Sequence, residues 1–126
     1  MQTQPKGESI IAGKAYKFAL EIIKLYKELV TRKEFVLSKQ ILRSGTSIGA
    51  NINEAISAQS KRDFVHKLSI SLKEARETCY WLRLLKDSLF INQGLFSKLF
   101  NDCDELIKIL TKIILTTKQK YFNSKL

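Results

Sequence analysis

After Pro5 the chain contains no further proline, from residue 6 to residue 126. A proline inside a helix removes a backbone hydrogen bond and clashes with the carbonyl four residues earlier, costing about 3 kcal/mol. Its absence leaves long helices unobstructed. An all-β chain would need many turns, and the five glycines, at 7, 13, 45, 49 and 94, are too few to supply them. At 126 residues the chain has the length of one domain, enough to bury a core without staples. The spacing of the apolar residues then decides the fold.

Residues 1–7 read as a disordered tail, and 8–126 as the folded unit. Over about 8–31, Ile11, Ala15, Phe18, Ile22, Leu25, Tyr26 and Leu29 recur at helical spacing and share one face. A charged break at 31–34 follows. The second helix is expected over about 37–58, with Ile41, Gly45, Ile48, Ile52 and Ile56 on its apolar side. Ser44, Gly45, Thr46, Ser47, Gly49 and Ala50 make it a poor helix by propensity, since a mid-helix glycine costs about 1 kcal/mol against alanine. Small side chains let another backbone approach closely, so they read as a tight packing seam.

Ser60 followed by Asp63 resembles a capping box and starts a third helix over about 61–88. Phe64, Leu68, Leu72, Ala75, Cys79 and Leu82 form its expected core face. Asn92 is a plausible N-cap for the fourth helix, about 93–121, which carries Phe96, Leu99, Phe100, Cys103, Leu106, Ile107, Leu110, Ile113 and Ile114. Its acids fall early and its lysines late, matching the helix dipole. Four amphipathic helices with short links give an all-α, up-down-up-down four-helix bundle.

Net charge is +10, from 22 Lys and Arg against 12 Asp and Glu, which favours polyanions or acidic partners. Cys79 and Cys103 both fall in helical segments and read as core thiols of a reducing, cytoplasmic compartment. The apolar run from Ile10 to Ile23 is broken by Lys14, Lys17 and Glu21, so neither a secretion signal nor a membrane span is expected.

No constellation of residues suggests catalysis. His66 is the only histidine, and one His with two distant Cys lacks metal-ligand spacing. Glu74 and Glu77 form a carboxylate pair, but Lys73, Arg76 and Arg83 lie near enough to offer simple ion pairs. No glycine-rich phosphate loop or acidic metal cluster appears. The expectation is a protein without catalytic residues, metal or cofactor.

Two features exceed what one core requires. Arg43, Ser47, Asn51 and Glu54 gather on the polar side of helix 2, mixing an arginine with short hydrogen-bonding groups. Helix 3 carries a second flank of Ile70, Glu74, Glu77, Trp81 and Leu84. Arg43 and Glu54 are too far apart to pair with each other, which leaves another helix or another subunit as their partner. Both features are candidates for a subunit interface.

The run from Gln40 to Ala55, QILRSGTSIGANINEA, followed by Ser60 and Asp63-Phe64, resembles the signature of the 23S rRNA intervening-sequence proteins, a family of bacterial four-helix bundles. That pattern is roughly Q-I-R-R-A-x-x-S-I-x-x-N-I-A-E-G and then S-x-x-D-F. Leu42 stands where a basic residue is common, and Ala55 where glycine is common. The resemblance is strong from about residue 18 to 85 and weak in the tail and last helix. A related branch, the accessory variability proteins of diversity-generating retroelements, resembles a pentameric, positively charged barrel that binds nucleic acid and a reverse transcriptase. The resemblance thus implies a homo-oligomeric barrel, a pentamer by analogy, that binds RNA or DNA, or a reverse transcriptase or other RNA-handling protein. The basic candidates for that contact are Lys14, Lys17, Lys24, Lys27, Lys61, Arg62, Arg76, Lys108, Lys112, Lys118 and Lys120. The alternative is a scaffold that binds an acidic protein without touching nucleic acid.

Overall fold

The computed structural model describes residues 6–122. Four helices follow in order: α1 (Lys6–Thr31), α2 (Leu37–Ile56), α3 (Lys61–Asp87) and α4 (Gln93–Phe122). No strand occurs among the described residues. Lys6 and Gly7, read from sequence as tail, already belong to α1; the rest of the expected tail, and 123–126, lie outside the described residues. Each helix packs against its sequence neighbours and α1 closes the ring against α4, with no direct approach across either diagonal. This is the up-down-up-down bundle expected of short links.

The buried positions explain the packing. On α3 they are Phe64, Leu68, Ser71, Ala75, Thr78, Leu82 and Leu85, alternating steps of four and three residues, with Val65 beside them. The same alternation runs through Ile11, Ala15, Phe18, Ile22, Leu25 and Leu29 on α1. Such a period keeps one seam facing its neighbours and gives coiled-coil-like packing. The expected α3 face therefore needs correction: Leu72 and Cys79 are half-buried, and the polar Ser71 and Thr78 take the inner positions. They fit there because they are small and satisfied. Ser71 Oγ donates to the Ile48 carbonyl (2.8 Å), and Thr78 Oγ1 hydrogen-bonds Ser44 Oγ (2.9 Å) and the Glu74 carbonyl (2.8 Å). No buried side-chain polar atom lacks a partner among the described residues. On α2, Ser38, Ser44 and Ala55 are buried while Ile56 is only partly so, and Tyr26 on α1 is likewise half-buried.

Gly45 sets the distance between α1 and α2. A Cβ there would stand 2.8 Å from Cγ2 of Ile22, so the backbone of α2 rests directly on that side chain.

The helix ends are closed by their own residues. Ser60 accepts the Asp63 N–H (3.0 Å) and Asn92 accepts the Leu95 N–H (2.8 Å), as capping requires. At α2 the cap comes from Glu34, whose carboxylate takes the N–H groups of Val36 (3.2 Å), Leu37 (3.1 Å) and Ser38 (2.7 Å). Burial alone would raise its pKa, but these backbone donors and the Ser38 side chain outweigh that and hold it below the usual value. Helices α1 and α3 both stop in a left-handed residue, Lys33 and Leu89, each at φ 67°. Around them Glu34 N–H returns to Leu29 O, and Phe90 N–H to Leu85 O, each at 2.9 Å.

Candidate nucleic-acid interface

The two features left over by the core reading meet within one chain. Arg43 of α2 donates to Glu74 of α3 at 3.0 Å and also bonds Glu77, whose Oε2 accepts the Trp81 indole N–H at 3.0 Å. Burial tends to lower the Arg43 pKa, but the two carboxylates outweigh it and hold the guanidinium above its ordinary value. Further along the same seam Lys67 pairs with Glu54 at 3.5 Å. Ser47 and Asn51 turn back on their own helix, donating to the carbonyls of Arg43 (2.6 Å) and Ser47 (2.9 Å). Ile70 and Leu84 are half-buried on the flank of α3.

That arrangement corrects the expected partners of Glu74 and Glu77. They pair with Arg43, so Lys73, Arg76 and Arg83 are left without an ion pair among the described residues. The outward positions of α3 are Arg62, His66, Ser69, Lys73, Arg76, Tyr80 and Arg83, all exposed and again alternating by four and three. Four cations stand on this stripe, and no acid joins it before Asp87 at the helix end. Lys73 and Arg83 were absent from the sequence-derived candidates. The available signal was the outer heptad of α3, obscured by assigning those side chains to the neighbouring glutamates.

The other basic candidates do not collect on one face. Lys14 pairs with Glu105 across the α1–α4 seam (3.0 Å), and Lys108 pairs with Asp104 along α4 (3.0 Å). Lys17, Lys24 and Lys27 are exposed on α1, diagonally opposite α3, and Lys112 is exposed on α4. Lys61, Arg62, Lys118 and Lys120 cluster at the end where α3 begins and α4 finishes. There Lys61 lies over Tyr121 (4.8 Å) and Arg62 over Phe122 (5.6 Å), while Lys118 and Phe122 line a shallow cleft with Arg62. A charged groove of about 390 Å³ between α1 and α4 mixes Lys14, Lys17 and Lys98 with Glu21, Asp102 and Glu105.

Cys79 and Cys103 are free thiols. Cys103, fully buried, donates to the Ala75 carbonyl at 3.2 Å. The neighbouring Cys103 thiol lowers the pKa of the half-buried Cys79 thiol, while Cys79 and burial push Cys103 up. Among the described residues no group of three His, Cys, Asp or Glu is placed to hold a metal ion. No helix of the described residues is long and apolar enough to cross a membrane.

Fold and surface define a four-helix bundle with a polar α2–α3 seam and a cationic outer stripe. The chain belongs to the 23S rRNA-intervening sequence protein family, whose model matches residues 7–112. It is similar to a crystal structure from Bacteroides thetaiotaomicron, of a protein of unknown function from the S23 ribosomal protein family. The two are 52% identical with a TM-score of 0.84, over 86% of this chain and 97% of that one. No curated protein matches the chain.

Proposed function

We propose that this protein binds RNA through the basic outer surface of the bundle, without acting as an enzyme. The observation that supports it most directly is how the acids are distributed. Glu54, Glu74 and Glu77 are engaged in the α2–α3 seam, and Asp102, Asp104 and Glu105 pair with lysines on α4 or α1. The net charge of +10 is thereby expressed on the outside, with Arg62, Lys73, Arg76 and Arg83 in line on one helix. Phosphate neutralisation by such side chains gives a salt-dependent, sequence-independent affinity. Membership in a family named for intervening sequences of 23S rRNA agrees with RNA as the polyanion.

Self-association, to a pentamer by the analogy drawn from sequence, belongs to the same proposal. Tyr16, Leu20, Phe35 and Val36 are more than half exposed, which supports a surface that another copy covers. Light scattering tests it, and a monomer would remove this part.

Gel-shift titration at low and at physiological salt tests RNA binding. Retarded complexes that weaken with salt are expected, and an absence of binding at low salt would remove the proposal. A partner retained from nuclease-treated lysate, with no RNA bound by the pure protein, would point instead to an acidic protein ligand.

A further inference from the structure

We infer that the α3 outer stripe is built for a double-helical nucleic acid rather than a single strand. This rests on the RNA-binding reading and narrows it to one face and one form of polyanion. At 1.5 Å per residue, Arg62 and Arg83 stand roughly 31 Å apart along a straight helix. That is close to one turn of a duplex, about 34 Å in the B form. Between them stand Lys73 and Arg76, so the four cations follow one another at intervals of roughly 16, 5 and 10 Å along the helix.

The stripe also lacks what a single strand needs. Sequence-tolerant binding of unpaired bases relies on successive aromatic faces, each contributing about 1–3 kcal/mol. Tyr80 is the one aromatic residue on this face, and its ring stands edge-on to Trp81 at 5.2 Å. Rigid, linear and nearly free of aromatics, the face matches a rigid row of phosphates and offers no platform for bases. The acids flanking its middle are engaged, Glu74 and Glu77 by Arg43 and Asp104 on the adjoining α4 by Lys108, while Asp63 and Asp87 mark the two ends of the stripe.

The test is fluorescence anisotropy with an RNA strand of about 20 nucleotides, longer than the stripe, the same strand annealed to its complement, and a DNA duplex of the same sequence. Either duplex binding about tenfold tighter than the single strand is the expected result. Equal affinity for RNA and DNA duplexes would place recognition in the phosphate density that both share, and an RNA preference would place it in the A-form groove with its 2′-hydroxyls; both support the inference. The R76E/R83E double variant should weaken duplex binding by about tenfold or more, against less than about threefold for K108E/K112E on α4. All four side chains are exposed, and an unchanged helical spectrum and unfolding midpoint confirm that each variant is folded. Single strands binding as tightly as duplexes, or an α4 pair that matters as much as the α3 pair, would overturn the inference while leaving RNA binding intact. Failure of every nucleic acid to bind is a separate result and removes the proposed function as well.

Discussion

Arg43 on α2 holds Glu74 on α3 at 3.0 Å, and the same guanidinium bonds Glu77 one turn away. One arginine thus engages both acids that border the outer stripe of α3, and Lys73, Arg76 and Arg83 are left without an ion pair among the described residues. The seam that joins two helices also shapes the electrostatics of the surface beside it.

Replacing Arg43 by alanine should therefore act twice. Arg43 is half exposed, at 49%, while Glu74 is only 18% exposed. Solvent screening of the pair limits the expected loss of stability to about 1 kcal/mol, read by urea unfolding. RNA affinity should also fall severalfold, although Arg43 lies off the stripe, because two carboxylates beside it are then uncompensated. A variant that loses stability with unchanged affinity would disconnect the seam from the surface.

Two glycines in helices should respond in opposite senses to alanine. At Gly13 an added methyl meets nothing within 4 Å. Gly13→Ala should raise stability by about 0.5–1 kcal/mol through helix propensity. At Gly45 the methyl would stand 2.8 and 2.9 Å from two carbons of the fully buried Ile22, which has no free space to move into. Gly45→Ala should lower stability by about 1–3 kcal/mol despite its better propensity. Thermal or denaturant unfolding of the two variants side by side measures the difference.

The cap on α2 carries a pH signature. Glu34 has its folded pKa below the ordinary value of 4.5. Its contribution is fully present above that value and is lost as pH falls through the lowered folded pKa. Glu34→Gln should cost about 1 kcal/mol near neutral pH. The gap between variant and parent should close in acid, where the parent carboxylate is protonated too. Unfolding midpoints across the acid range check this.

Leu89 ends α3 in a left-handed conformation with its side chain 84% exposed. A branched residue there bears about 1–2 kcal/mol of backbone strain that glycine avoids, and almost no packing would be lost. Leu89→Gly should stabilise the bundle by about 1 kcal/mol once the greater freedom of the unfolded chain is included, raising Tm by about 4 °C. A calorimetric scan reads it directly.

Fold class was legible because helical periodicity survives in every segment and no proline interrupts it. Ser60 and Asn92 were legible as caps because a side-chain oxygen at that position has a single local use. The inner face of α3 was harder to read. Choosing only apolar residues selects Leu72 and Cys79, whereas the seven-residue repeat puts Ser71 and Thr78 inside, where the backbone of Ile48 and the hydroxyl of Ser44 satisfy them. Polar residues can be core residues when small and paired. The surface was misread for a related reason. Proximity in sequence makes Lys73, Arg76 and Arg83 look like partners of Glu74 and Glu77, but Arg76 and Arg83 stand at offsets that do not face the carboxylates, and Lys73, which is four residues before Glu77, is displaced by Arg43. The true partner, Arg43, lies thirty-one residues from Glu74 in sequence and only its shared seam brings it close.

The most direct measurement is the salt dependence of RNA affinity for the parent and for Arg76→Ala. If Arg62, Lys73, Arg76 and Arg83 each neutralise one phosphate, log K against log salt should fall with a slope of about −3 to −4. Removing Arg76 should make that slope shallower by about one. Affinity that does not change with salt, or a slope that Arg76→Ala leaves untouched, would contradict the assignment of the α3 stripe as the binding face.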